Sequence, residues 1–399
     1  MNFNYDYSAL LTSSDGVTDT WRELYDDNLL LSHNLLDLLR KVVYLPYDFY
    51  DIIAVYFLLP SALCKNVPYL FFCGASGSGK STLAKLGSFL HGIKINSSSD
   101  TFAGIRNDLD KRRRAIIDRI DPDDPSITFR TYGEANTCMV WDDVDPSVFV
   151  NSPDLYRLFK FGSNRASSTI TISSKEVGEN LEFSTFCPKT FSSISPIHLD
   201  DRFRELRRRL IVIPCKRLEE LSDDRRKELG ATGDQWQSNL IDVDAYDWKD
   251  FSKEFRAFWD LPTAQGFIDA RKILATSTRG LTSLQRAISL DLMACGIASG
   301  IWSDETIALD RMKSYWSWFK TETEKNAGLG GLLKELIKQT ENNAKAHGIP
   351  ATIHSQMLRS QINNWVATGW LFEAPRASEI KSLMYDLGMR LQQGTWRKG

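Results

Sequence analysis

The chain is short of cysteine and histidine, and neither type is grouped. Its six cysteines (Cys64, Cys73, Cys138, Cys187, Cys215, Cys295) contain no C-x-x-C pair. Several sit in apolar runs, which points to buried, reduced thiols in a reducing compartment. The five histidines (His33, His91, His198, His347, His354) show no ligand spacing, so core or surface roles are expected of them. Long apolar runs are also missing. "IIAVYFLLPSALC" from Ile52 is too short and too Pro-broken to cross a bilayer, and the first residues are polar and acidic, unlike a secretory signal. A cytoplasmic protein with no membrane partner is expected. Neither charge dominates: 49 Lys and Arg face 51 Asp and Glu, a net charge of −2, so any nucleic-acid site has to be a local patch. No internal repeat and no primase or nuclease signature is visible.

What is present is an ordinary globular composition, 42% apolar and 25% charged over 399 residues, enough for two to three domains of ~150 residues. Residues 1–20 read as a loose polar arm. From Trp21 to Ala62, leucines recur at helical spacing, with "LPYD" breaking two helices. "PYLFFC", "TCMVWDDVD", "KTFSSIS" and "LIVIPC" are strand candidates. Helical stretches at Lys80–Leu90 and Ser152–Lys160 fall between them, the alternation of a parallel α/β sheet. "STITISSKEVGENLEFSTF" (Ser168–Phe186) reads as a hairpin with a polar tip carrying Lys175. "DKRRRAIIDRIDPDD" (Asp110–Asp124) reads as a mixed-charge helix with a solvated face. After Cys215 the pattern is mainly helical, and "NAGLGG" (Asn326–Gly331) reads as a linker.

Three segments carry chemistry. "GASGSGKS", Gly74 to Ser81, fits G-x-x-x-x-G-K-[ST] between a strand and a helix, the context this motif requires. Backbone amides of Gly74, Ala75, Ser76, Gly77, Ser78, Gly79, Lys80, Ser81 and Thr82 would surround phosphate oxygens. Lys80 would neutralise the β and γ phosphates of ATP, and Ser81 would ligate Mg²⁺. The alternative is a merely flexible Gly/Ser loop. "CMVWDDVD" delivers Asp142 and Asp143 from an apolar strand, Asp142 to hold Mg²⁺ and Asp143 to polarise water; alone, it is equally a strand ending in a solvated turn. Asp145, just before Pro146, caps the next helix. Arg207, Arg208 and Arg209 precede an apolar strand; one is an arginine-finger candidate, against a basic helix end that complements the helix dipole.

The order phosphate loop, carboxylate strand, hairpin, "KTFSSISP" and "LRRRLIVI" resembles the AAA+ ATPases. The hairpin narrows the likeness to the clade of minichromosome-maintenance and superfamily 3 helicases, and to the helicase-like ATPases of phage, plasmid and genomic-island replication modules. It covers residues 40–217. It implies an α/β AAA+ phosphate-loop core with a parallel sheet (46–217), a helical N-terminal segment (1–45) and a helical lid (218–325). Ser195 would take the sensor 1 place and Arg209, with Arg208 beside it, the finger place in a ring, expected to be a hexamer. Two departures stand out: the usual Asp-Glu pair is Asp142-Asp143, and sensor 1 is Ser rather than Asn. Both imply slow hydrolysis. Arg279 and Arg286 are sensor 2 candidates that spacing does not separate.

Residues 331–399 read as helix (Leu332–Ala346), a break at "GIPAT", helix (Ser355–Trp365), a wing at "TGWLFEAPR", and a final helix and tail, a winged-helix pattern. Nine Lys and Arg face five acids there. This points to DNA phosphate contacts from Arg359 on the recognition helix, Arg376 on the wing, and Arg397 and Lys398 in the tail, with a protein-binding winged helix as the alternative. The leading expectation is therefore an ATP-hydrolysing DNA helicase or translocase of a mobile-element replication system. The rivals are an ATP-dependent assembly switch that unwinds nothing and an initiator whose ATPase controls only oligomerisation. In the first reading, Lys175 at the hairpin tip meets a DNA phosphate in the ring channel; in the bland one, the hairpin pads a subunit interface.

Overall fold

A computed structural model describes residues 19–97, 99–120, 128–134, 136–173, 180–231, 240–258, 261–277, 280–326, 328–348, 350–367 and 375–398. The chain divides into two compact units: Met1–Ile194 with Arg208–Lys313, and Ser195–Arg207 with Ser314–Gly399.

The first unit begins with β1 (Asp19–Thr20), which is followed by α1 (Leu31–Val42) and α2 (Tyr50–Phe57). The spacing of Leu35, Leu38, Leu39 and Val42 gives α1 one buried stripe, whereas α2 is buried at every position except Asp51, as its otherwise apolar sequence requires. Next come β2 (Tyr69–Cys73), α3 (Lys80–His91), β3 (Ile95–Asn96) and α4 (Phe102–Arg113). A hairpin follows, β4 (Arg114–Ile120) with β5 (Thr128–Glu134), then β6 (Met139–Trp141), α5 (Pro146–Asn151) and α6 (Pro153–Phe161). A second hairpin, β7 (Thr169–Ser173) with β8 (Asn180–Ser184), precedes β9 (Lys189–Ser193). After the short α7 (Arg204–Arg207), which belongs to the other unit, β10 (Leu210–Pro214) completes the main sheet.

That sheet has five strands in the order β10-β2-β9-β6-β3, all parallel. β2 and β6 are apolar without alternation, and β9 is buried along its whole length, because helices cover both faces. Phe159 of α6 forms the packing hub on one side. Its ring lies 5.9 Å from Tyr69, 6.2 Å from Trp141, 5.0 Å from Phe149 and 5.4 Å from Phe191. Lys189 opens β9 fully buried; its ammonium donates to the carbonyls of Thr185, Cys187 and Gly162, and burial depresses its pKa. The β7–β8 hairpin packs on α4: Arg106 stands 3.9 Å from the Phe183 ring centroid, and Asp110 accepts from the Ser184 N–H at 2.8 Å.

One expectation is overturned here. Residues 114–120 of the segment read as a mixed-charge helix form β4. The helix stops at Arg113, where "RAIIDRI" brings β-branched residues that pair antiparallel with Thr128–Glu134. The charge pattern of Asp110–Arg113 masked this change of period.

The rest of the first unit is mainly helical, as the sequence implies: α8 (Asp223–Glu228), β11 (Tyr246–Asp247), which pairs with β1, then α9 (Lys249–Ala257), α10 (Leu261–Ser277) and α11 (Ser283–Ala298). The start of α12 (Glu305–Asn326) is tied to α2: Asp51 accepts from Arg311 Nε at 2.6 Å and from the Trp302 indole at 2.9 Å. Asp291 of α11, 2% exposed, is neutralised by Arg271 and accepts from the Lys65 N–H at 3.2 Å. No helix among the described residues is long and apolar enough to cross a membrane.

The second unit contains α13 (Gly328–His347), β12 (Thr352–His354), α14 (Ser355–Ala367), α15 (Ala377–Asp386), β13 (Met389–Gln392) and β14 (Thr395–Lys398). The strands form an antiparallel sheet in the order β12-β14-β13. Leu333, Ile353, Leu358, Ile362, Met384, Met389 and Trp396 are among the residues of its core. Three expectations change. Gly328–Gly331 is the first turn of α13 rather than linker. Of the segment read as the wing, residues 368–374 lie outside those described, and Arg376 sits at the N-cap of α15. Arg397 and Lys398 belong to a strand rather than a tail, because "MRLQQGTWRK" is two alternating runs joined by Gln393-Gly394. Both turn residues have positive φ, +48° and +75°, the geometry of a two-residue hairpin turn.

Candidate functional site

The phosphate-loop segment leaves β2 at Cys73 and enters α3 at Lys80. Gly74 is dictated by packing: a Cβ there would stand 1.9 Å from the Cys215 carbonyl oxygen, just beyond β10. Gly77 and Gly79 have φ of +77° and +85°, and a Cβ on Gly79 would also meet Val43 Cγ2 at 2.5 Å. The glycines thus turn the backbone around a concavity capped by the amino terminus of α3, an anion-binding geometry. Lys80 is buried, and its ammonium donates to the Ala75 carbonyl at 2.7 Å. Ser78 Oγ is buried in the loop with no hydrogen-bond partner. Ala75 and Thr82 are half-buried, whereas Ser76, Gly77 and Ser81 are exposed. Burial lifts the Cys73 thiol at the end of β2 to about 12, so it is not a thiolate at neutral pH.

Two strands away, β6 ends with Asp142 and Asp143 at the same, carboxyl edge of the sheet. The intervening β9 fixes both. Trp141 and Phe191 are in register, so Ser192 falls beside the carboxylates. Its hydroxyl donates to Asp142 Oδ1 at 2.5 Å and accepts from the Asp143 N–H at 2.9 Å. Two more contacts close the turn: the Val144 N–H donates to the Ser192 carbonyl at 2.7 Å, and Ser193 Oγ to the Val144 carbonyl at 2.6 Å. Asp143 is held at φ +51°, one of two non-glycine residues with positive φ among those described. Held so, Asp143 lines the cleft with the loop, whereas Asp142 is turned to Ser192.

The cleft is about 560 Å³. Its floor is residues 76–82, Asp143 and Glu219 bring carboxylates to it, and Val43, Tyr44, Leu218 and Leu240 give it an apolar wall. Arg217 reaches over the rim, its Nε donating to the Ser76 carbonyl at 2.9 Å. This combination of amide-lined floor, buried lysine, carboxylate and apolar wall suits a nucleoside triphosphate.

The remaining expected site residues are dispersed. Ser195 lies beyond the end of β9 in the second unit, where its carbonyl accepts from the Ile197 N–H. Arg209 is half-buried, and its Nε donates to Ser163 Oγ at 2.9 Å; Arg208 is exposed. Asp145 does cap α5, accepting from the Ser147 N–H at 2.7 Å. Lys175 and Arg279 lie outside the described residues, and Arg286 donates to the Ala275 carbonyl. Arg359 is exposed on α14, Arg376 and Arg397 are exposed, and Lys398 pairs with Glu341 at 2.7 Å. Among the described residues, no cluster of three His, Cys, Asp or Glu side chains is placed to hold a metal ion. All six cysteines are free.

Sequence reasoning missed Ser192 and Arg217. For Ser192 a signal existed: the paired serines that end the strand candidate "KTFSSIS", a strand that is buried along its whole length. No protein-family model matches the chain, and no curated protein matches it.

Proposed function

We propose that the chain is an ATP-hydrolysing, DNA-binding AAA+ motor that works as a homo-oligomeric ring, most simply a helicase or translocase of a mobile-element replication system. The observation that carries the reading is the convergence at one sheet edge of the glycine-turned loop, buried Lys80 and the Asp142–Asp143 turn. In open α/β sheets that edge is where ligands bind. Loop amides and Lys80 would hold the β and γ phosphates, and the apolar wall would take the base. The donor set fits Mg²⁺: the Ser81 hydroxyl with a carboxylate of the Asp142–Asp143 turn, and Ser78 Oγ has unused hydrogen-bonding capacity beside the loop. When bound, Mg²⁺ neutralises charge on the phosphates. Asp143, which faces the cleft, would orient the attacking water and accept its proton. Arg208 is exposed and Arg209 half-buried, so Arg208 is the more accessible of the two to a neighbouring subunit.

The second unit, helices on a three-stranded antiparallel sheet, is read as a winged helix that contacts DNA. The rival assembly-switch reading shares the ATP site and lacks unwinding. Steady-state ATPase assays of the parent and Asp143→Asn, with and without single-stranded DNA, test the proposal. Loss of turnover in Asp143→Asn and stimulation of the parent by DNA are expected. An Asp143→Asn protein as fast as the parent removes Asp143 from its role, and a parent indifferent to DNA favours the switch.

A further inference from the structure

The small sheet of the second unit ends on an unpaired strand. In the order β12-β14-β13, β13 lies at the edge, and among the described residues no strand pairs with its outer side. The hairpin register says which backbone groups face that side. The turn at Gln393-Gly394 closes on the pair Gln392–Thr395, which exchanges hydrogen bonds across the hairpin. Bonded and non-bonded pairs alternate from there. Met389 and Leu391 therefore turn their N–H and C=O groups away from β14, toward the open side. Along that side runs a groove of about 510 Å³, lined by Tyr385 near the end of α15, by Gly388 and by all four residues of β13.

The two faces of this edge differ chemically. Met389 belongs to the core of the unit, and by strand alternation Leu391 shares its face. Leu391 is opposite Trp396, whose ring meets that of Tyr385 edge-on at 5.6 Å. Leu391 and Tyr385 are both large hydrophobic side chains left exposed. Arg390 and Gln392 occupy the other face. Arg390 is the one charged residue that lines the groove; Asp386, next in sequence to Tyr385, does not line it. Directly across the hairpin from Arg390 stands Arg397, also exposed. Like charges set opposite one another are destabilising, so a carboxylate brought to this face relieves the pair. The same arginines oppose pairing of β13 with β13 of a second copy, because that would add positive charge to positive charge.

We infer that the outer edge of β13 captures an extended segment of a partner protein in which apolar and acidic residues alternate. The segment pairs as a fourth strand with the outward N–H and C=O groups of Met389 and Leu391. Its apolar side chains rest on Leu391 and Tyr385, and its carboxylates meet Arg390 on the opposite face. Main-chain bonds supply affinity, and the alternation supplies specificity, since a one-residue slip would put carboxylates on Leu391. The inference stands apart from the ATP and DNA readings of the chain and does not depend on either.

The test is fluorescence anisotropy of a short labelled peptide of alternating leucine and glutamate, titrated with the full-length protein. Saturable binding is expected, and Arg390→Glu should weaken it about tenfold or more. Arg390 is exposed, and an unchanged melting temperature confirms that the variant is folded. Three further peptides test the mode of binding without altering the protein. One alternates leucine with lysine, one gathers the same leucines and glutamates into two blocks, and one carries N-methyl groups on alternate backbone nitrogens. Each should bind about tenfold more weakly or worse, the last because it has lost main-chain donors. Absence of binding by the leucine–glutamate peptide overturns the inference. So does equal binding of the blocked or N-methylated peptide, which would mean that no strand is added, or of the lysine peptide, which would remove Arg390 from its role. If this face serves nucleic acid instead, labelled duplex DNA will bind in an Arg390-dependent manner while the peptide does not, which also overturns it.

Discussion

Ser192→Ala isolates the contribution of β9 to the candidate site. The Ser192 hydroxyl makes two bonds at once, to the Asp142 carboxylate and from the Asp143 amide. A hydrogen bond to a charged group contributes about 1.5–3 kcal/mol, and a partly buried amide left without an acceptor costs about 1 kcal/mol. Truncation should therefore destabilise the first unit by about 2–4 kcal/mol and free Asp143 to leave its φ of +51°. On the proposed Mg²⁺ role of Asp142, turnover should also fall ~10–100-fold, the usual effect of removing a group that orients a metal ligand. Urea unfolding measures the first quantity. ATPase rates titrated with Mg²⁺ measure the second, and the Mg²⁺ requirement should rise in Ser192→Ala and recover in Ser192→Thr. A Ser192→Ala protein with the parent's turnover and Mg²⁺ requirement would refute the assignment, whatever its stability.

Two further outcomes follow from the geometry. Gly74→Ala should cost about 3 kcal/mol, because its Cβ meets the backbone of Cys215, just beyond β10, and cannot be relieved by a side-chain rotation. Gly77→Ala, with nothing within 4 Å of its Cβ, should cost only the ~1–2 kcal/mol of its left-handed φ; comparable melting shifts in the two variants would contradict this ranking. In the second unit, burial first and the Arg207 charge second lower the His198 pKa to about 3. The unfolded chain takes up this proton near pH 6.5 and the folded chain only near 3, so the stabilising effect is complete above about pH 6.5 and declines as pH falls through that window. The loss on reaching pH 3 is on the order of 3–5 kcal/mol. His198→Phe should flatten this dependence in melting curves recorded from pH 7 to 4, and an unchanged slope would sink the attribution.

Local chemistry was legible where neighbours in the chain are neighbours in space. The run Gly74–Ser81 announces its turn because glycine spacing and the following helix are contiguous, and the apolar runs at Tyr69–Cys73 and Leu210–Pro214 declare buried parallel strands by lacking alternation. Asp145 before Pro146 states its cap within three residues. The β4 strand was hidden because charge period and strand period overlap at Asp110–Arg114, and pairing with residues 128–134 decides between them. Only the register of β9 against β6 brings Ser192, some fifty residues downstream, onto Asp142 and turns Asp143 toward the loop. Only the approach of Cys215 explains why position 74 admits no side chain. Likewise, the arginines before β10 look alike in sequence, and the fold distinguishes half-buried Arg209, bonded to Ser163, from exposed Arg208. Motif and period are short-range properties of a chain; which polar group faces which is set by strand register and helix docking, which no local window contains.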